Sequence, residues 1–174
     1  MSQLKNRIIV QDNFFNKKML DKIKIDLQHQ KFSNRFTEEK NTIYQKIYFN
    51  VRLKDDHPVV LETIKILKEK FNLTYFNISS QYFLSTRHEE ATPHSDCFNE
   101  YNCLIYLQGA PLLNSGTGFY DYDKINDKYN LNTHIGFKEN RAIIFDSKIY
   151  HSSLQFNEGS GKRYCLANFI NVKK

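Results

Sequence analysis

The sequence predicts an α+β protein that is mainly β, with a jelly-roll core and N-terminal helices packed on it. Three observations carry this. From about residue 72 onward the chain breaks into short alternating segments separated by turns, the mark of an antiparallel β core. Before that point two stretches show helical periodicity, and none recurs between the later strands, which excludes a doubly wound α/β fold. The chain also carries 14 Phe and 11 Tyr but no Trp, and flat side chains of this kind suit a pleated surface.

Arg7–Val10 reads as a short strand. Asn16 is placed to cap a helix running to about His29, with Met19, Leu20, Ile23 and Leu27 at helical spacing. Thr42–Leu53 alternates weakly and fits either a strand or an ordered loop. A second helix is expected from about Pro58 to Phe71, with Val60, Ile64, Leu67 and Phe71 on one side and Pro58 in its first turn. The later strands are expected at Tyr75–Leu84, Tyr101–Gln108, Gly118–Tyr122, Thr133–Phe137, Arg141–Phe145, Tyr150–Gln155 and Arg163–Val172. With no repeat or Pro/Gly-rich linker, the 174 residues are expected to form one domain: strand and helices over 1–71, jelly roll over 72–174.

Lys and Arg total 25 against 19 acidic residues, a formal charge of +6. That balance alone would allow nucleic acid. However, the lysines gather on the two helical stretches, where a solvated face accounts for them, and no dense basic run accompanies stacked aromatics. Cys97, Cys103 and Cys165 are odd in number and lack C-x-x-C spacing, as expected of reduced thiols. No apolar run could span a bilayer, so the expected location is the cytoplasm, with no membrane partner.

Chemistry first shows in Thr92-Pro-His94-Ser-Asp96. In a strand, residues two apart share a face, so His94 and Asp96 could meet one metal ion; an H-x-D pair by itself is common. Downstream, the apolar run from Arg141 to Phe145 leads through a polar turn to His151. Two histidines and a carboxylate on one face of a metal make the facial triad of non-haem iron(II) oxygenases, which leaves adjacent positions open. A 2-oxoglutarate would fill two of them and leave one for O2, and its far carboxylate needs a cation. Arg163, twelve residues after His151, offers a guanidinium fork of matching geometry. By strand parity Cys165, Ala167 and Phe169 share its face, and the two small ones leave room for a ligand.

The ordered set of H-x-D, Tyr101-Asn-Cys-Leu-Ile-Tyr106, Asn114-Ser-Gly116-Thr-Gly118, Arg141…Phe145…His151 and Arg163-Tyr resembles the 2-oxoglutarate/Fe(II) dioxygenases, most closely their prolyl-hydroxylase-like branch. The resemblance covers about residues 75–172. It implies a double-stranded β-helix, with iron on His94, Asp96 and His151 and 2-oxoglutarate on Arg163. Tyr106 resembles the strand tyrosine that hydrogen-bonds the far carboxylate, and Tyr82 the tyrosine that lines the cosubstrate pocket. A core aromatic role is the alternative for each. Gly116-Thr-Gly118 resembles the family's glycine-rich turn, a tight backbone at a strand start. Lys162 competes with Arg163, and the pair His88/Glu90 and His134 compete with the iron ligands, though without matching strand context.

The implied reaction couples oxidative decarboxylation of 2-oxoglutarate, giving succinate and CO2, to hydroxylation of a C–H bond. No catalytic residue beyond the iron ligands is expected. A carboxylate at position 96 favours hydroxylation over halogenation, which needs that position vacant. The substrate is expected to be a peptide side chain, an amino acid or another small metabolite. Nucleic-acid bases are less favoured, since position 169 is Phe where base-demethylating relatives carry a second Arg. Two other classes stand beside this one: a cupin-like metalloenzyme, which would give Arg163 no carboxylate to bind, and a non-catalytic jelly-roll binding module, which would need no metal.

Overall fold

Asn16 opens the first helix, α1 (Lys17–His29), by accepting a hydrogen bond from the Met19 amide at 2.9 Å. Leu20, Ile23 and Leu27 form its buried stripe. The second helix, α2 (Pro58–Phe71), starts on Pro58 with His57 as its cap. It ends where Asn72 turns left-handed at φ 54° and the Leu73 amide reaches the Leu67 carbonyl. The structure is a computed structural model describing residues 7–33, 48–73, 76–85, 92–111, 115–154 and 162–172. Among these residues no helix is long and apolar enough to cross a membrane.

The strands are β1 (Ile8–Gln11), β2 (Tyr48–Arg52), β3 (Phe76–Ser85), β4 (Tyr101–Gln108), β5 (Gly116–Asp123), β6 (Lys128–Gly136), β7 (Ala142–Asp146), β8 (Tyr150–Leu154) and β9 (Arg163–Val172). They form a large sheet in the order β1-β7-β4-β9-β3-β2 and a small one in the order β6-β5-β8. Every pairing is antiparallel. Two facing antiparallel sheets with helices on one side are consistent with a jelly roll.

The period-two alternation of the strands separates two cores. On the outward face of the large sheet, Cys103, Ile105, Ile144, Leu166 and Ile170 pack with Phe14, Phe15, Ile23, Leu27, Val60 and Leu67 from the helical part. On its inward face, Tyr106, Ile143, Phe145 and Cys165 meet Phe119 of the small sheet and Phe137. The site described below lies on this inward side.

Within the stretch Thr42–Leu53, whose form the sequence leaves open, Tyr48–Arg52 pairs with β3; residues 42–47 lie outside the described ones. Strand β6 begins five residues earlier than the expected Thr133. Residues 128–132 are exposed and largely polar, so they show no buried alternation, and their pairing comes from the hairpin itself. In that hairpin the Asp123 carboxylate accepts from the Ile125 and Asn126 amides, while Asp127 turns left-handed at φ 52°.

Asp12 staples the start of β7 to the end of β1. It accepts from Arg141 Nε at 2.7 Å and Lys138 Nζ at 2.6 Å. Hydrogen bonds from Arg141 and then Lys138 hold its carboxyl below the ordinary range, at about 2. The unfolded chain protonates near pH 4, so the staple's contribution is complete above about pH 4 and is lost as pH falls through about 2. At one-third exposure it is worth on the order of 1 kcal/mol. Asp12→Asn should therefore lower the urea midpoint at pH 7, and the gap to wild type should close between pH 4 and pH 2.

Candidate active site

The segment 92–96 joins the small sheet at its β8 edge. His94 and His151 stand opposite each other as antiparallel partners, the amide of each donating to the other's carbonyl at 3.0 and 2.8 Å. The Asp96 amide donates to the Ser147 carbonyl at 2.9 Å, and the Asp96 carbonyl accepts from Asn99 to close the turn that follows. Backbone bonds thus fix the main-chain positions of all three residues. His94 Nε2 lies 4.0 Å from Asp96 Oδ1, and His151 Nε2 lies 3.5 Å from Asp96 Oδ2. One ligand atom from each of the three falls within 4.8 Å of the others, and among the described residues no other group of this kind exists.

The surroundings aim these atoms. His94 Nδ1 faces the Thr92 carbonyl at 3.2 Å and His151 Nδ1 faces the Ile149 carbonyl at 3.0 Å. In the tautomer that donates Nδ1–H to these carbonyls, each Nε2 lone pair would be free toward the centre, as a metal ligand requires. The Asn102 side-chain Nδ2 donates to Asp96 Oδ2 at 2.8 Å. Partial desolvation of the half-exposed ring, and then the neighbouring His151, push the His94 imidazole below its ordinary value. Burial alone would raise the Asp96 carboxyl, but the hydrogen bond and charge of His151, with His94 and Asn102, outweigh it and hold it low. A neutral imidazole beside an ionised carboxylate is the ligating form of both.

Arg163 opens β9 on the inward face, 5 % exposed. Its Nη1 donates to the Gly116 and Leu154 carbonyls, both at 3.0 Å, and Nη2 donates to Ser153 Oγ. Nε has no hydrogen-bond partner. Among the described residues no carboxylate pairs with this guanidinium. A buried cation is costly unless it is paired, and among the described residues this one meets only neutral oxygens. Tyr106 stands near enough for the Arg163 charge to act on its phenol, which burial pushes up and Arg163 partly pulls back; it therefore remains a neutral hydroxyl, 2.7 Å from Thr117 Oγ1. Gly116 is required here, because a Cβ at that position would collide with the Ile135 carbonyl oxygen.

Of the residues expected from the sequence, His94, Asp96 and His151 come together, and Arg163 and Tyr106 share the inward face. Tyr82 does not join them. Register pairs it with Leu166 of the helix-side core, and its hydroxyl donates to Asp26 of α1 at 2.8 Å. The neighbouring Phe83, paired with Cys165, is the aromatic that turns inward. His134 pairs with Gly118, between the inward-facing Thr117 and Phe119, and so points outward. Lys162 is exposed, and His88 and Glu90 lie outside the described residues. Sequence reasoning missed Asn102, whose parity with Leu104 and Tyr106 was available, and Ser153 and Thr117, which needed the three-dimensional pairing.

No family model matches the sequence, and no curated protein is significantly similar to it. The fold is similar to several solved structures. SnoN, a non-haem α-ketoglutarate-dependent epimerase from nogalamycin biosynthesis, superposes with TM-score 0.68 at 8% identity, over 95% of this chain and 78% of that one. HygX from Streptomyces hygroscopicus, solved with nickel and 2-oxoglutarate, gives 0.67 at 8% over 95% and 83%. A Pseudomonas putida prolyl-4-hydroxylase gives 0.61 at 11% over 96% and 93%. This is the fold of the 2-oxoglutarate/Fe(II) oxygenases. Within that fold the chemistries named are not one: SnoN is an epimerase, whereas the Pseudomonas protein is a hydroxylase. HygX has also been solved with hygromycin B bound.

Proposed function

We propose that this chain is an iron(II)- and 2-oxoglutarate-dependent oxygenase with a double-stranded β-helix core, hydroxylating a C–H bond of a small molecule or peptide side chain. His94, Asp96 and His151 are the iron ligands in this reading, and Arg163 with Tyr106 receives the far carboxylate of 2-oxoglutarate. The observation that carries it is the buried Arg163 guanidinium, which has no acidic partner among the described residues and lies on the same inward side as the His-Asp-His cluster. A cupin-like metalloenzyme would leave that cation without a purpose.

Iron and 2-oxoglutarate, once bound, supply oxidative decarboxylation with O2 and transfer of one oxygen atom to substrate. The chain's own part is positional. The Thr92 and Ile149 carbonyls keep both imidazoles in one tautomer, and Asn102 holds Asp96 to a single orientation. Arg163, fixed by two carbonyls and Ser153, meets a carboxylate without rearranging. Phe119 and Phe145 pack against the His151 ring, with centroids 6.5 and 4.8 Å away, and give the site an apolar side.

The test is anaerobic addition of Fe(II) and then 2-oxoglutarate to metal-free protein, followed in the visible range for the band of the iron chelate and then, with O2, for succinate. A band and succinate are expected. Folded, iron-loaded protein that shows neither would overturn the proposal. Arg163→Gln should weaken 2-oxoglutarate about 10- to 100-fold, the cost of one charge-assisted hydrogen-bond pair, while iron binding without cosubstrate persists.

A further inference from the structure

The large sheet has six strands and the small one three, so among the described residues part of its inward face has no strand of the small sheet opposite it. Following the register across this face gives the row Leu104–Ala167–Gln81–Arg52 on β4, β9, β3 and β2. Beside it run Phe169–Ser79 on one flank and Cys165–Phe83–Asn50 on the other. Arg163 and Cys165 are buried, but Ala167, Phe169, Ser79, Gln81, Phe83 and Asn50 are only half-buried, and Arg52 is exposed. Tyr82, pointing the other way to Asp26, fixes the parity that turns Gln81 and Arg52 inward. The His-Asp-His cluster and this strip therefore lie on one inward side.

Two features set the strip apart from an ordinary solvated edge. Its polar side chains are unengaged: Gln81, Ser79 and Arg52 make no side-chain hydrogen bond to any described residue, and Asn50 Oδ1 is buried without a partner. Among the described residues no carboxylate pairs with Arg52, although Asp55 and Asp56 follow closely in the chain. The neighbours on the inward face are Phe83, Ala167 and Phe169, an apolar floor ending in a cation. Arg52 stands three strand spacings from β4, about 14 Å at the usual separation, and Asn102, which holds Asp96, is one pleat repeat, about 7 Å, along β4 from that row. A guanidinium reaching back along the floor would thus sit on the order of 10–15 Å from the metal position.

We infer that the inward face of β3 and β2 is the floor of the substrate cleft, and that Arg52 binds an anionic group of the substrate, a carboxylate or a phosphate. This rests on the oxygenase reading above and adds the substrate class to it. The apolar part of the substrate lies over Phe83, Ala167 and Phe169, Gln81 and Asn50 hydrogen-bond its middle, and the oxidised carbon lies at the cluster. An Arg fork accepts both anions with two hydrogen bonds, so the anion's identity is for the experiment to separate.

The experiment offers iron-loaded protein small compounds in matched pairs, each carboxylate with its carboxamide and each phosphate monoester with its free alcohol. Succinate formation stimulated by the compound is the readout. One member of a pair type, carboxylate or phosphate, should be preferred over its neutral partner by at least about tenfold in kcat/KM. In Arg52→Gln that preference should collapse toward parity, and Arg52→Lys should retain part of it. A folding defect would lower both members alike and leave the ratio intact, so the ratio reports Arg52 itself. Equal use of neutral members, a preference that survives Arg52→Gln, or no stimulation by any anionic member while wild type turns over 2-oxoglutarate alone would each overturn the inference. Wild type that makes no succinate even without substrate would instead bring down the oxygenase reading, and this inference with it.

Discussion

His151→Ala is expected to abolish iron binding at micromolar metal and, with it, all succinate formation. His151 is the most buried of the three candidate ligands, the cross-strand partner of His94 and the closer histidine to Asp96, at 3.5 Å. Alanine leaves two ligands, one of them a carboxylate now lacking the neighbour that lowers its proton affinity. Loss of an outer hydrogen-bond partner of a metal ligand typically costs about 10- to 100-fold in affinity, and loss of the ligand itself should exceed that range. Asn102→Ala supplies the comparison: it keeps all three ligands, frees Asp96 Oδ2 to rotate, and should fall within the 10- to 100-fold window. Metal titration monitored by calorimetry checks both. If His151→Ala bound iron as tightly as Asn102→Ala, the three-ligand assignment would be wrong.

Asn140→Ala should destabilise the fold strongly although it removes little apolar surface. Asn140 is buried, left-handed at φ 62°, and bonds both main-chain groups of Phe15: its Oδ1 accepts from the amide at 2.9 Å and its Nδ2 donates to the carbonyl at 2.8 Å. Its own carbonyl accepts from Phe14, and its amide donates to Tyr106. One residue thereby ties the lead-in to α1 onto the turn before β7. Alanine strands two buried backbone groups and adds left-handed strain, together about 3 kcal/mol. For a chain of this length that is roughly 6–12 °C in Tm. Asn140→Gly loses the same hydrogen bonds without the strain and should recover about 1 kcal/mol or more of the loss. Thermal melts of the two variants decide it, since equal losses would mean the backbone there is unstrained.

Both helices were legible because each signal was local. Asn16 and Pro58 mark helix starts by chemistry that depends on no distant residue, and α1 and α2 begin where those residues imply. β4 and β9 were bounded correctly by runs of alternating apolar residues. Lys128–Asn132 was not legible, because an exposed hairpin strand is held by backbone pairing that leaves no trace in hydrophobic pattern. At the site, residue types and order pointed to His94, Asp96, His151 and Arg163, all of which lie on the inward side. Tyr82 shows the limit of that approach. Adjacent aromatics at 82 and 83 satisfy either parity, and only the Asp26 carboxylate from a helix more than fifty residues away decides which one faces the core of the helical layer.

The direct pairing of His94 with His151 has a thermodynamic consequence. Within the small sheet, segment 92–96 is held to β8 by one antiparallel bridge and by the Asp96–Ser147 bond. In the oxygenase reading proposed above, an ion held by His94 and His151 is a cross-link at that seam, present only in the folded form. Folding and metal uptake then become linked equilibria: each tenfold rise in free metal above its dissociation constant adds about 1.4 kcal/mol to stability. Scarcity of the metal would loosen the seam as it silences the chemistry, so occupancy of the centre and persistence of the chain would rise and fall together.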